Sequence, residues 1–178
     1  DRNYVDRLGS DEGAMKTFKH GIPVRQRGMT LVEFAIIGAV ALMLIFAVLE
    51  ISRAFFVTSA LTEATRRGAR MAAVCWIDDP AIAQVATFNA PGAGNNSPII
   101  KDLDTSDFVL EYLDRAGNVL GSPADNFMAI RYVQLRVVNF EHELLIPYAN
   151  FTFTMPEFST RLPRESLGVP RSGVITPC

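Results

Sequence analysis

The sequence predicts an α+β protein: one long N-terminal helix, transmembrane in its first half, whose exported half packs on a small antiparallel β-sheet. Three observations predict it. Phe34–Leu49 is an unbroken apolar run without a charged or strongly polar side chain. The helical pattern continues from that run through Glu50-Ile51-Ser52-Arg53 and meets no glycine or proline until Gly68. After the loop-like stretch at 89–98, the apolar period changes from helical to two.

Composition bounds the remainder. The 178 residues allow one ordinary domain plus an appendage. A charged content of 20% with a mean hydropathy of +0.18 excludes a disordered chain. A net charge of −2 and a pI near 5.7 speak against a nucleic-acid partner. Cys75 and Cys178 are the only cysteines, too few for a disulfide-dense scaffold or a four-cysteine zinc site.

Residues 1–28 are read as a cytoplasmic basic leader. Arg2, Arg7, Lys16, Lys19, Arg25 and Arg27 lie there, and its acids all precede Gly13. Met15-Lys16-Thr17-Phe18-Lys19 reads as a translation start, which makes 1–14 untranslated or non-native upstream sequence. The apolar run covers about 24 Å at ~1.5 Å per residue, and its flanks Met29–Val32 and Ile51 extend it toward the ~30 Å hydrocarbon thickness. A cleaved signal peptide is the rival, but no small-residue cleavage site followed by a helix break ends the run. Basic residues before the span and a net charge of −4 over residues 29–178 set the orientation, with the N-terminus cytoplasmic and the C-terminal part exported.

The long helix is expected over 29–75. In its second half Leu61, Ala64, Gly68, Met71, Ala72 and Cys75 share one face. Glu63, Arg66, Arg67 and Arg70 take the other, with Glu63 and Arg67 at a favourable i, i+4 spacing. That charged face is either simply solvated or a contact for lipid headgroups or a partner. Asp78-Asp79-Pro80 is an acidic cap with proline at the first helical position and starts a short helix over Pro80–Phe88. The remainder, 76–178, is expected to be an exported globular α+β domain. Phe108, Leu110 and Tyr112 mark one strand, followed by a turn at Arg115-Ala116-Gly117-Asn118. Val133, Leu135 and Val137 mark a second, and Phe151, Phe153 and Met155 a third.

The most specific stretch is Arg27-Gly28-Met29-Thr30-Leu31-Val32-Glu33-Phe34, a basic residue and a glycine before an apolar helix that carries one glutamate. It resembles the processing site of type IV prepilins. Leu49-Glu50-Ile51-Ser52-Arg53-Ala54-Phe55-Phe56-Val57 and Ala60–Val74, with Arg66-Arg67-Gly68-Ala69-Arg70 at its centre, narrow the likeness. The chain over about 25–75 is similar to the TadE-like minor pilins (pseudopilins) of the tight-adherence pilus system. A weaker echo follows at Thr160–Glu165, and 76–130 has no counterpart. The resemblance implies cleavage by a prepilin peptidase between Gly28 and Met29. It also implies partnership with major and minor pilins, an inner-membrane assembly platform and the lipid bilayer, and a role in surface adhesion. A pseudopilin of type II secretion is a near relative of this reading.

Glu33 has a physical reading beside the resemblance. An ionised carboxylate at mid-span costs on the order of 2.5–3.5 kcal/mol, less near the interface. A new amine at Met29, on the same or an adjacent subunit, would neutralise it and set axial register. The alternative is a solvated, inert headgroup position. Glycine at 28 suits entry into a narrow peptidase cleft, and Gly38, without a second glycine at GxxxG spacing, is read as neutral.

Cys75 and Cys178, if exported, either bridge and pin the tail to the end of the helix or remain as a buried thiol and a frayed end. His20 lies in the leader. His142, in Glu141-His142-Glu143, is expected in an exposed polar loop rather than as a metal ligand. Asp102, Asp104 and Asp107 are expected as a solvated acidic turn rather than a calcium loop. Gly92-Ala93-Gly94 is not a dinucleotide fingerprint, and no motif of nucleophilic, metal or phosphate-loop chemistry occurs. The expectation is therefore no enzyme, no cofactor and no metal. A permanently anchored exported binding domain that never polymerises is the competing reading, and a membrane-tethered enzyme with its site in 76–178 is a second.

Overall fold

The computed structural model describes residues 26–145, 151–170, 173, 175 and 178. The leader up to residue 25, with the Met15 start and His20, lies outside the described residues. The chain divides into two compact units, Asp1–Leu42 and Met43–Cys178. All that is described of the first is helix.

Helix α1 spans Gln26–Val74 and so begins three residues before the expected Met29. Within the second unit its apolar face forms the floor of the core: Leu61, Ala64, Ala69, Ala72 and Ala73 are buried. Small residues dominate because the sheet comes close. A Cβ built at Gly68 would stand 2.2 Å from Leu135 Cδ2 and 2.8 Å from Ala86 Cβ. Glu63, Arg66 and Arg70 are exposed as expected. Arg67 makes no ion pair with Glu63; its guanidinium lies over the Phe88 ring, 5.2 Å from the centroid.

Helix α2, Pro80–Ala86, starts as anticipated, with Pro80 in its first turn and the Asp79 carboxylate accepting from the Ala81 amide at 2.9 Å. It ends two residues early because Thr87 and Phe88 turn out, Phe88 with φ +67°.

The main sheet has three antiparallel strands in the order β1 (Phe108–Leu113), β2 (Tyr132–Val137) and β5 (Phe158–Pro163). Leu110 pairs with Leu135, and Val133 pairs with both Tyr112 and Leu162. Central β2 alternates as expected, its odd-numbered residues Val133, Leu135 and Val137 all buried. These three meet α1 in reverse order. Val137 packs with Val57 and Leu61, Leu135 with Ala69, and Val133 with Ala72, Ala73 and Cys75. Strand β2 therefore runs antiparallel to the helix it covers. Buried Thr65 joins the two layers through its hydroxyl, 2.9 Å from Thr160 Oγ1.

The third expected strand is corrected. Thr152–Thr154 forms β4, paired only with β3 (Glu141–Glu143) in a separate two-stranded sheet, with His142 opposite Phe153. Phe151 and Phe153 are exposed and only Met155 reaches the core. Alternation reveals a strand but not the sheet it joins. The true third strand, β5, has Thr160 in the middle of its inward face and hence a weak apolar signal.

Candidate membrane and assembly interface

In α1 every residue from Met29 to Leu49 is exposed except the half-buried Gly38. Met29, Leu31, Phe34 and Met43 each leave more than two-thirds of their surface uncovered. Among the described residues, one helix is long and apolar enough to cross a membrane. Soluble monomers rarely expose contiguous apolar patches beyond a few hundred Å². Among the described residues this one is left uncovered, which is consistent with a membrane anchor.

The residues singled out at the head of this helix lie in regular α-helix. A Cβ at Gly28 would meet nothing within 4 Å, so packing does not require glycine there; the same holds for Gly38. Glu33 is exposed and makes no ion pair or hydrogen bond among the described residues. It stands four residues after Met29, on the same helix face.

The other end of the apolar run is anchored by residues that sequence reasoning passed over. Glu50 and Arg53 are the first charges after it, and their side chains approach at 3.6 Å (Glu50 Oε2 to Arg53 Nε). Glu50 Oε1 accepts from the Leu145 amide at 2.9 Å. Arg53 donates to the Glu143 carbonyl and lies 3.2 Å from His142 Nε2. A guanidinium has no acceptor, so Nε2 must be the unprotonated nitrogen and His142 a neutral ring. Burial, and then the Arg53 charge, hold the His142 imidazole below its ordinary range, while Glu50 offsets part of this. His142 is thus buried in β3, not exposed in a loop as expected, because the helix offers its ring a donor and Phe153 an aromatic face at 5.3 Å. The available signal was the i, i+3 pair Glu50/Arg53 at the end of the run. A cleft of about 180 Å³ opens beside this anchor, with Phe56, Ile99 and Leu145 among its walls. Lys101 bridges its rim to Glu143 at 2.8 Å.

At the far end of α1, Cys75 and Cys178 form a disulfide with Cα atoms 5.6 Å apart. The Cys178 amide also donates to Asp79 Oδ2 at 3.0 Å. The chain at 165–168 closes the helix terminus: Glu165 N donates to Ala73 O (3.0 Å), and Ser166 Oγ (3.0 Å) and Gly168 N (2.5 Å) donate to Val74 O. These bonds satisfy carbonyls that a helix end leaves without partners. Gly168 needs its positive φ of +74°, and a Cβ there would lie 2.7 Å from Trp76 N. Buried Tyr112 accepts from the Asp78 amide at 3.0 Å, and burial pushes its hydroxyl pKa up to about 12.

Among the described residues no group of three or more His, Cys, Asp or Glu side chains is placed to hold a metal. Asp104 and Asp107 cap a 3₁₀ turn, Thr105–Asp107, reciprocally: the Asp104 carboxylate takes the Ser106 amide at 2.6 Å, and Asp107 takes the Asp104 amide at 2.8 Å. The Ser106 hydroxyl and amide hold Asp104 below the usual carboxylate range, and burial lifts Asp107.

The features together define a class: a chain whose long helix is apolar and, among the described residues, uncovered in its first half, and continues into the core of an α+β head. Residues 28–70 match the family described as TadE-like protein, and the chain is TadE-like over that segment. The match includes the apolar run and the small-residue face of α1, and it ends before α2 and the sheet. The family is a structural one associated with tight-adherence pili and is not a family of enzymes. No curated protein matches the chain, and no solved structure does.

Proposed function

We propose that this protein is a minor pilin (pseudopilin) of a tight-adherence pilus, held in the bacterial inner membrane by α1 before assembly. The N-terminus is cytoplasmic and the head is exported to the periplasm. A prepilin peptidase removes the leader between Gly28 and Met29. The freed subunit then joins other major and minor pilins through the inner-membrane assembly platform, where it primes the filament or stands at its tip in surface adhesion. The chain divides accordingly into 1–28 as leader, 29–75 as helix and 76–178 as the exported domain.

The observation that carries this reading is the uncovered apolar helix with a lone glutamate four residues after Met29, inside the TadE-like segment. A carboxylate on a lipid-facing helix has a cost in the bilayer that a neighbouring amine would offset. The amine created at Met29 is that partner, on the same subunit or the next, and matching the two sets the axial register. Gly28 supports the cleavage site because no contact among the described residues asks for glycine there.

The test is Glu33→Ala. The variant should insert and be cleaved like the native chain yet be missing from sheared pili. Normal incorporation would refute the assembly role. The second reading, a permanently anchored binding domain, is favoured by the cleft beside Arg53 and predicts an uncleaved chain and an inert Glu33.

A further inference from the structure

The β3–β4 hairpin sits at the level where the apolar run ends. Leu145, just past β3, is hydrogen-bonded to Glu50, the residue immediately after Leu49. Phe151, just before β4, lies across the hairpin from Leu144, the neighbour of Leu145, its carbonyl accepting from the Leu144 amide at 2.8 Å. His142 within the hairpin is fixed to Arg53, less than one turn further along the helix. The Leu145 end of β3, where the chain leaves the strand, is therefore tied beside α1 at the boundary between its apolar and polar halves.

What the hairpin presents there is apolar. Leu145 is 62% exposed and Phe151 59%, with Phe153 beside them at 38%. The sequence carries no charged side chain between Glu143 and Glu157. Phe55 and Phe56 on the helix are also exposed at this level. Exposed aromatic side chains beside the end of an apolar span match the composition of the headgroup zone, where amphipathic and aromatic groups concentrate. The backbones of β3 and β4 are paired with each other over Glu141–Glu143 and Thr152–Thr154, so these strands do not present unmatched ladder groups to one another's side of that zone.

We propose that the β3–β4 hairpin is a membrane-seating element. When Phe34–Leu49 occupies the hydrocarbon, Leu145 and Phe151 dip into the headgroup layer of the leaflet on the head's side. Glu50, Arg53 and His142 hold the hairpin in that position. The occupant of this surface is the bilayer itself, because the surface continues that of the apolar helix. The inference rests on the membrane-anchor reading of α1.

The test uses the full chain in liposomes containing lipids brominated near the glycerol end of the acyl chains. The only native tryptophan is replaced (Trp76→Phe), and single tryptophans are introduced by Phe151→Trp, Leu145→Trp, Phe46→Trp and Met128→Trp. Phe46 lies within the apolar run. Met128 is exposed and follows Phe127, whose ring stacks on Trp76 at 5.9 Å. That places it about 36 Å along the helix from Glu50 at ~1.5 Å per residue. The proposal expects a roughly twofold loss of emission at 151, 145 and 46, and none at 128. Quenching at 46 without quenching at 145 or 151 overturns the hairpin proposal alone and leaves the surface to a neighbouring subunit. No quenching at 46 overturns the anchor reading and the proposal with it. Equal quenching at 128 also overturns it, since the head would then have no selected seat.

Discussion

Gly68→Ala is a substitution whose sign depends on the helix–sheet packing. In an exposed helix interior, replacing glycine by alanine stabilises by about 1 kcal/mol through propensity alone. At Gly68 the new methyl group would lie 2.2 Å from Leu135 Cδ2 and 2.8 Å from Ala86 Cβ. Leu135 is 1% exposed in the centre of β2, so it can yield only by leaving its rotamer, at about 0.5–1.5 kcal/mol. The Ala86 Cβ has no rotamer to change, so α2 itself must shift, and overpacking of this kind costs about 1–3 kcal/mol. The sum exceeds the propensity gain, leaving a net loss of about 0.5–3.5 kcal/mol. At about 4 °C per kcal/mol for a head of this size, that lowers Tm by about 2–14 °C. The assay is thermal unfolding followed by near-ultraviolet circular dichroism in detergent, with Gly38→Ala on the same helix as control. A Cβ at Gly38 meets nothing, so that variant should match or exceed the native chain. If Gly68→Ala is as stable as Gly38→Ala, the close approach of α1 to the sheet is wrong.

Three further outcomes follow from the geometry. Cys178→Ser opens a cross-link between residues 103 apart in sequence and should lower stability by as much as about 4–5 kcal/mol on the chain-entropy model, read as a lower urea midpoint that reductant no longer changes. The depressed pKa of His142 means that the unfolded chain binds the proton more readily. Its contribution is present above the ordinary value of about 6.5 and lost as pH falls through the lower folded value. Urea midpoints should therefore fall below pH 6.5 in the native chain and fall less in His142→Gln, whose amide oxygen can still accept from Arg53; equal slopes would refute the neutral-ring assignment. Gly168→Ala, forced to φ +74° and against the Trp76 backbone, should destabilise the head and speed amide exchange at residues 165–168, whereas unchanged exchange would refute its capping role.

Much of the fold was legible because long periodic segments carry the strongest signals. The apolar run, the face from Leu61 to Cys75, the Asp79-Pro80 helix start and the alternation of Val133, Leu135 and Val137 each specify local structure on their own. What escaped was set by distant partners. Strand β5 is the third member of the main sheet, yet Thr160 faces inward and bonds Thr65, so its inward face lacks a continuous apolar pattern. Phe151 and Phe153 alternate like core residues, but their strand pairs only with β3 and leaves them exposed. His142 read as a surface residue because its neighbours are Glu141 and Glu143. Its burial depends on Arg53, 89 positions away. At the head of α1 the case is reversed. Among the described residues Gly28 and Glu33 make no contacts that explain them, so a motif read from the sequence says more about them than the geometry does.

The central claim is processing between Gly28 and Met29. Its most direct test is the N-terminal sequence and intact mass of the protein taken from membranes that contain its prepilin peptidase. The account predicts a mature chain beginning at Met29 with the Cys75–Cys178 bridge intact. A mature chain that keeps the basic leader would contradict it and leave a permanently anchored domain.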